Sequence, residues 1–378
     1  MTILPCQRDA FAIPRDVHYL NCAYMGPLPR AVSAAVAAGA ALKASPWTYR
    51  PADFFAHIEG YRSRAARLMG SAVDDVALVP SASYGLAIAA KNLPLARGQN
   101  VVVLGDQFPS NYYVWTAKTA AAGANVRIAR RDADDDWTAA VLACIDADTG
   151  IVAVPHCHWA DGRLVDLIQV GSACRAVGAA LVLDLTQSLG AMPFEVAAVQ
   201  PDFAVAAGYK WQLSPYGTGM LYVAPQWQGG EPIEYNWLNR AGSEDFSRLI
   251  DYTDAYQPGA RRFDYGECAN PPLLMGACAA LDLIDGWGVS NIAETLGARN
   301  EAIAVQAQTL GLAAAPSQKR APHFLALAFP GVVPPGLVER LAAANVYVSL
   351  RGTSLRVTPH LYNDDEDVAA LLAALAPA

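Results

Sequence analysis

The chain has 378 residues, 53% of them hydrophobic and 16% charged, and a formal net charge of −8. That length suffices for two domains, and the composition is that of a globular protein with a large core rather than a disordered chain. No Lys/Arg-rich run occurs, which makes nucleic acid and anionic membrane surfaces poor partners.

The seven cysteines (Cys6, Cys22, Cys144, Cys157, Cys174, Cys268 and Cys278) are odd in number and form no CxxC pair. They give neither a disulfide framework nor a zinc ribbon, and fit a reducing compartment. Arg8, Asp9, Arg15 and Asp16 stand where a signal peptide would need an apolar run, and no stretch is long and apolar enough to span a bilayer. The expectation is a cytoplasmic protein. The acidic run at 132–136 reads as a solvated loop.

In chain order, the strand-like runs lie at 75–80, 100–105, 125–129, 150–155, 179–184, 202–208 and 219–223. Several are continuous rather than alternating, as strands buried on both faces are. Candidate helices fall near 83–94, 109–123, 137–144 and 166–177, the last followed by Gly178 at a helix C-terminus. This alternation predicts an α/β fold with a mostly parallel sheet covered by helices on both faces. Residues 226–262 are irregular and rich in aromatics. A long helical region follows at 271–311, broken near 286–288. The rest reads as strand (323–329), helix (335–344), strands (346–350 and 354–358) and helix (364–375), a small α+β domain. The expected boundaries are 14–285 for a large domain and 286–378 for the small one, with residues 1–13 packing on the latter.

In parallel α/β sheets, ligands sit beyond the carboxyl ends of the strands. The run 179–184 ends at Asp184, and the run 202–208 is followed by Tyr209 and Lys210. An Asp and a Lys at neighbouring strand ends suit pyridoxal phosphate: the carboxylate pairs with the pyridine nitrogen and the amine forms an imine with the aldehyde. Alone, they are equally a capping Asp and a snorkelling Lys. Other strand ends add to the pattern. Ser81, Ala82 and Ser83 open a helix where N–H groups and hydroxyls would hold a phosphate, although Ser81 is also an ordinary N-cap. Phe108 offers a ring face, His158 and Trp159 follow 150–155, and Gln187 lies three residues after Asp184.

Beyond this pattern, the sequence resembles the class V aminotransferase group of fold-type I pyridoxal-phosphate enzymes. The resemblance runs from YLNCAYMGPLP (19–29) to SLRVTPHLYNDDEDVAALL (354–372). It is most specific in LDLTQSLGAMPFEV (183–196) with DFAVAAGYKWQLSPYGTGMLYV (202–223), and PGARRFDYGECANPP (258–272) looks closest to the isopenicillin-N-epimerase-like branch. It implies a large domain with a mostly parallel seven-stranded sheet plus a small C-terminal α+β domain. It implies Lys210 as the Schiff-base lysine and proton shuttle, Asp184 on the pyridinium nitrogen, and Gln187, with His158, on the phenolic oxygen. Phe108 would stack on the ring, where many relatives have His. Ser81, Ala82, Ser83 and Tyr209 would serve the phosphate, while Ala207 replaces a frequent Ser. Gly217 and Thr218 resemble the loop that reaches the phosphate of the partner subunit in a homodimer. Arg356 would bind the substrate carboxylate, and Asn21 is a further candidate for substrate binding.

Cysteine desulfurases carry a persulfide cysteine just before that arginine. Here 346–357 holds none, and no cysteine follows Cys278. Three activities on an α-amino acid share every residue above: transamination, the leading expectation, then β-elimination of C–S or kynureninase type, and epimerisation. A non-catalytic cofactor-binding module is the fourth. Aromatic residues around 47–55 and 235–256 are candidates for pocket lining or for plain packing.

Overall fold

The computed structural model describes residues 2–131 and 136–376. Most of the acidic run at 132–136 lies outside the described residues. Its last member, Asp136, caps the helix that follows, accepting from the N–H groups of Thr138 and Ala139.

The chain opens with β1 (His18–Tyr19), then α1 (Arg30–Leu42), α2 (Pro51–Met69), β2 (Val76–Leu78), α3 (Ala82–Asn92), β3 (Asn100–Leu104), α4 (Ser110–Ala122) and β4 (Asn125–Ala129). It continues through α5 (Trp137–Leu142), β5 (Thr149–Pro155), α6 (Leu167–Val177), β6 (Ala180–Asp184), α7 (Val196–Val199), β7 (Phe203–Ala207) and β8 (Gly219–Val223). The last third holds α8 (Pro271–Trp287), α9 (Val289–Thr309), β9 (Ala313–Ala314), β10 (Leu325–Ala328), α10 (Leu337–Ala343), β11 (Val346–Tyr347), β12 (Ser349–Arg351), β13 (Ser354–Val357) and α11 (Asp365–Leu375).

The main sheet has seven strands in the order β2-β8-β7-β6-β5-β3-β4. Only β8 runs against its neighbours, so the sheet is mostly parallel as expected. Its central strands are buried along both faces, which explains their continuous apolar runs. One face packs a core that includes Leu78, Val102, Val152 and Leu181, and the other one that includes Val79, Val101, Ile151 and Val205. Helix α6 shows how local sequence sets these elements. The Asp166 side chain accepts from the N–H groups of Ile168 and Gln169, and the chain leaves the helix at Gly178 with φ 74°.

The sequence pattern did not place α1 and α2. They pack on α8, which ends at Gly288 where the chain bends by 73° into α9. Among the described residues no single helix is long and apolar enough to cross a membrane. Tyr49, Phe54 and Phe55 cluster with Trp237 and Phe246, away from the strand-end cavity.

The C-terminal elements form an antiparallel sheet in the order β12-β13-β10-β9. The N-terminal segment joins them: β1 pairs in parallel with β11, and Arg8 and His18 both reach the buried carboxylate of Asp367. The same segment then crosses to the main sheet, where Gly26 N–H donates to the carbonyl of Tyr209.

Candidate active site

In chain order β4 lies on one side of β3 and β5 on the other, so the strand order reverses at β3, and a crevice opens beyond the strand ends there. A cavity of about 190 Å³ occupies that crevice. Phe108, after β3, and Trp159, after β5, meet edge to face across it with centroids 5.6 Å apart. The Trp159 indole is fixed by a 2.7 Å hydrogen bond from its Nε1 to the Asp106 carbonyl. A wider groove of about 760 Å³ between α5 and α6 contains neither Lys210 nor Asp184 and shows no comparable convergence of groups.

Lys210 and Asp184 line the cavity floor and are buried, at 6% and 8% exposure. Burial pushes the Lys210 amine down to about 8, opposed by the nearby Asp184 charge. Burial likewise raises Asp184 above the ordinary carboxylate range, opposed by hydrogen bonds from Thr186, whose N–H donates to Oδ1 at 3.0 Å. Lys210 Nζ lies 5.6 Å from the Phe108 centroid and 5.4 Å from that of Tyr209. Among the described residues, neither Lys210 nor Asp184 has an oppositely charged group within ion-pairing distance.

At the phosphate end, Ser81 caps α3 by accepting from Tyr84 N–H, and its hydroxyl lies 2.9 Å from that of Ser83. Ala82, Tyr209, Gly217 and Gln187 also line the cavity. The Gln187 amide is held from both ends: Nε2 donates to the Ala23 carbonyl (3.1 Å) and Oε1 accepts from Trp211 (3.0 Å). One N–H of that amide remains for a ligand. Thr218 is buried and donates to the Pro215 carbonyl instead of facing the cavity.

The structure corrects the placement of His158, which does not line the cavity. Its ring stacks on Trp137 (5.0 Å), Nε2 donates to the Gly105 carbonyl, and Asp161 lies 3.5 Å from Nδ1. The reason is the two-residue period of β5, which continues past its end. Pro155, Cys157 and Trp159 face the cavity, and His158 between them faces away.

Arg356 on β13 is 2% exposed. Its Nε and Nη2 donate to the Ser349 hydroxyl, and Nη1 donates to the Trp159 carbonyl at 2.9 Å. The Ser349 hydroxyl in turn donates to Asn21 Oδ1, so Asn21 reaches the site through Ser349. Arg356 has no carboxylate partner among the described residues, and burial together with nearby Arg351 pushes it down to about 10. Sequence reasoning missed Cys157, Thr186, Tyr216, Ser349 and Arg351. The alternation along 155–159 was the available signal for Cys157; Ser349 and Arg351 needed the hairpin register.

A buried carboxylate without a cation, a buried amine without an anion, an aromatic wall and a helix N-terminus carrying a pair of mutually hydrogen-bonded hydroxyls share one small cavity. That donor set fits pyridoxal phosphate: Asp184 for the ring nitrogen, Lys210 for the aldehyde, and Ser81, Ser83 and the α3 N–H groups for the phosphate. Gly26 guards this arrangement, because a side chain there would overlap the Lys210 carbonyl oxygen. Gly26→Ala is expected to cost about 1–3 kcal/mol of stability. It should also lower cofactor stoichiometry, which thermal denaturation and a cofactor assay check together.

Fold and site thus define a fold-type I pyridoxal-phosphate enzyme. The family model for class V aminotransferases matches residues 37–371, and the chain belongs to that family. An uncharacterized aminotransferase, YcbU, of Bacillus subtilis is 28% identical over 81% of this chain and 80% of its own length. A probable cysteine desulfurase of Methanothermobacter thermautotrophicus is 30% identical over 61% of this chain and 56% of its own. A kynureninase of Deinococcus radiodurans is 27% identical over 69% and 64%. The chain thus spans less than two thirds of the length of the last two. Among solved structures, the cystine C–S lyase C-DES in complex with cysteine persulfide superimposes with a TM-score of 0.87 at 20% identity, covering 96% and 99% of the two chains. An apo cysteine desulfurase of Thermococcus onnurineus gives 0.84 at 18% identity, covering 99% and 98%.

Proposed function

We propose that the protein is a cytoplasmic aminotransferase acting on an α-amino acid. Arg356 carries this reading: a buried guanidinium beside the Lys210 cavity, held by neutral groups and without an acid of its own, suits a substrate carboxylate. Bound pyridoxal phosphate supplies an aldehyde that captures the substrate amine and a cationic ring that accepts electron density from Cα. The other steps belong to the chain. Asp184 keeps the ring nitrogen protonated. Arg356 fixes the carboxylate and, with it, the orientation of the Cα–H bond. The Lys210 amine, whose proton affinity burial lowers, would take up and return the proton at the substrate Cα. Phe108 and Trp159 exclude water from above. Arg356 belongs to the small domain, taken as 286–378, so closure of that domain over the substrate would complete the site. A homodimer fits the exposed Tyr216 (69%) at the cavity mouth beside Gly217.

Desulfuration through a protein persulfide is not supported, since the β12–β13 hairpin carries Gly352 and Thr353 at its turn and no thiol. Single turnover with a panel of amino acids tests the assignment. One equivalent each of oxo acid and pyridoxamine phosphate, without ammonia, is the expected result. Pyruvate or alanine released with ammonia or a side-chain fragment would mean lyase chemistry. Deuterium at Cα with loss of chirality would mean epimerisation.

The lowered proton affinity of Lys210 gives a second test. The rate at which apo-protein captures pyridoxal phosphate should rise with pH around a midpoint near 8 and level off above it; a midpoint near 10.5, the ordinary lysine value, would contradict the burial argument. Between those two values the unfolded chain binds a proton at this residue that the folded chain does not. Lys210 therefore makes the apo-protein more stable as pH rises through that window, and the gain is lost as pH falls through about 8.

A further inference from the structure

The β12–β13 hairpin carries a second guanidinium, Arg351, beside Trp159, whose side chain lines the Lys210 cavity. Across the hairpin Ser349 pairs with Arg356 and Arg351 with Ser354, so these four side chains share one face of the sheet. Leu350 and Leu355, paired with each other, point the opposite way into the small-domain core. The register thus sets Arg351 and Arg356 on one surface, and that surface meets Trp159. Arg356 donates to the Trp159 carbonyl, and the Arg351 guanidinium lies 5.9 Å from the Trp159 ring centroid.

Neither arginine has an acid. Arg351 donates only to the neighbouring Leu350 carbonyl among the described hydrogen bonds, and it forms no ion pair there. Most other half-buried or buried arginines do otherwise: Arg8, Arg62, Arg64, Arg261 and Arg320 each meet a carboxylate within 3 Å. In a chain with 35 acidic and 27 basic residues, composition does not force two neighbouring cations to go without counter-ions. Their mutual cost is visible in the field they create, since Arg351 lowers the proton affinity of Arg356, and both lower that of Lys210. Like charges held together beside a cavity, one of them 5.9 Å from the centre of an indole that lines it, make a site for two anionic groups on one ligand.

We infer that Arg351 receives a second carboxylate, making the substrate a dicarboxylic amino acid or the matching 2-oxo acid, with its methylene chain against the Trp159 face. This rests on the reading of Arg356 as the α-carboxylate site. It deepens that reading by naming the side-chain class.

Calorimetry on the pyridoxal-phosphate-loaded protein tests it with ligands that have no amine. Succinate or glutarate is expected to bind on the order of 10- to 100-fold more tightly than butyrate, and Arg351→Gln should abolish that preference while Arg351→Lys retains part of it. In turnover, the ratio of kcat/KM for aspartate or glutamate over that for alanine should fall at least about tenfold in Arg351→Gln. Dicarboxylates that bind no better than butyrate, or a preference that survives Arg351→Gln, would overturn the inference. If alanine is nonetheless turned over, the aminotransferase reading stands without it. If succinate binds in an Arg351-dependent way but no amino acid reacts, the two-anion site holds and the aminotransferase reading falls.

Discussion

Lys210→Ala is expected to lower kcat by about 10⁴-fold, the upper end of what a positioned proton carrier contributes, without unfolding the protein. The loss has two parts. The amine no longer holds the cofactor covalently, and it is no longer there to carry a proton at Cα: the neighbouring thiol, Cys157, is pushed far above its ordinary range by burial, Tyr209 is raised to about 12 for the same reason, and His158 faces away. Pyridoxal phosphate should still bind without the covalent link, because Asp184, Ser81, Ser83 and the start of α3 are untouched. It should then be lost on dialysis and should not become fixed by borohydride. Stability should change little. The substitution removes three methylenes, which costs packing, but also a buried amine that has no ion pair and is therefore poorly solvated in its charged form. Added methylamine should restore part of the turnover by replacing the proton carrier. Full activity in the variant, or cofactor fixed by borohydride to another lysine in the wild-type protein, would remove Lys210 from its role.

The strands of the main sheet were legible because a strand buried on both faces has to be apolar throughout. Such runs are short and end sharply at turn residues, as at Asp184 and Pro155. Helices α1 and α2 were not. The first is nearly all Ala, Val and Gly with only two buried positions, and the second begins inside an aromatic stretch that reads equally as loop. For the site, residue types at strand ends were enough to find Asp184, Lys210 and Ser81. They could not decide between adjacent residues. His158 and Trp159 differ by one position, and which faces the cavity depends on where the pleat of β5 starts, a tertiary fact. Arg351 was invisible for a similar reason. Its face is set by the pairing of Ser349 with Arg356 across the turn at Gly352, and a one-residue slip would have turned it toward the small-domain core with Leu350 taking its place.

Arg356→Ala is expected to lower kcat/KM for α-amino acids by roughly 10²- to 10³-fold, the effect of removing one partner of a buried charge-assisted pair. Most of the loss should appear in KM. Amines that lack a carboxylate should react no worse with the variant than with wild type, because they never used the guanidinium; that contrast separates loss of a carboxylate contact from general damage. The melting temperature should move by only a few degrees. Arg356 contributes three hydrogen bonds to Ser349 and Trp159, but its charge is desolvated, faces Arg351 and has no acid in the protein to stabilise it. Removing it relieves that repulsion while giving up those bonds, so the two effects oppose one another in the free protein. The substrate complex gains no such offset: its carboxylate would then sit beside Trp159 with neither a charge nor a parallel donor pair to replace bulk water. Equal losses for amines and amino acids, or a large fall in melting temperature, would show instead that Arg356 acts by holding the hairpin against Trp159.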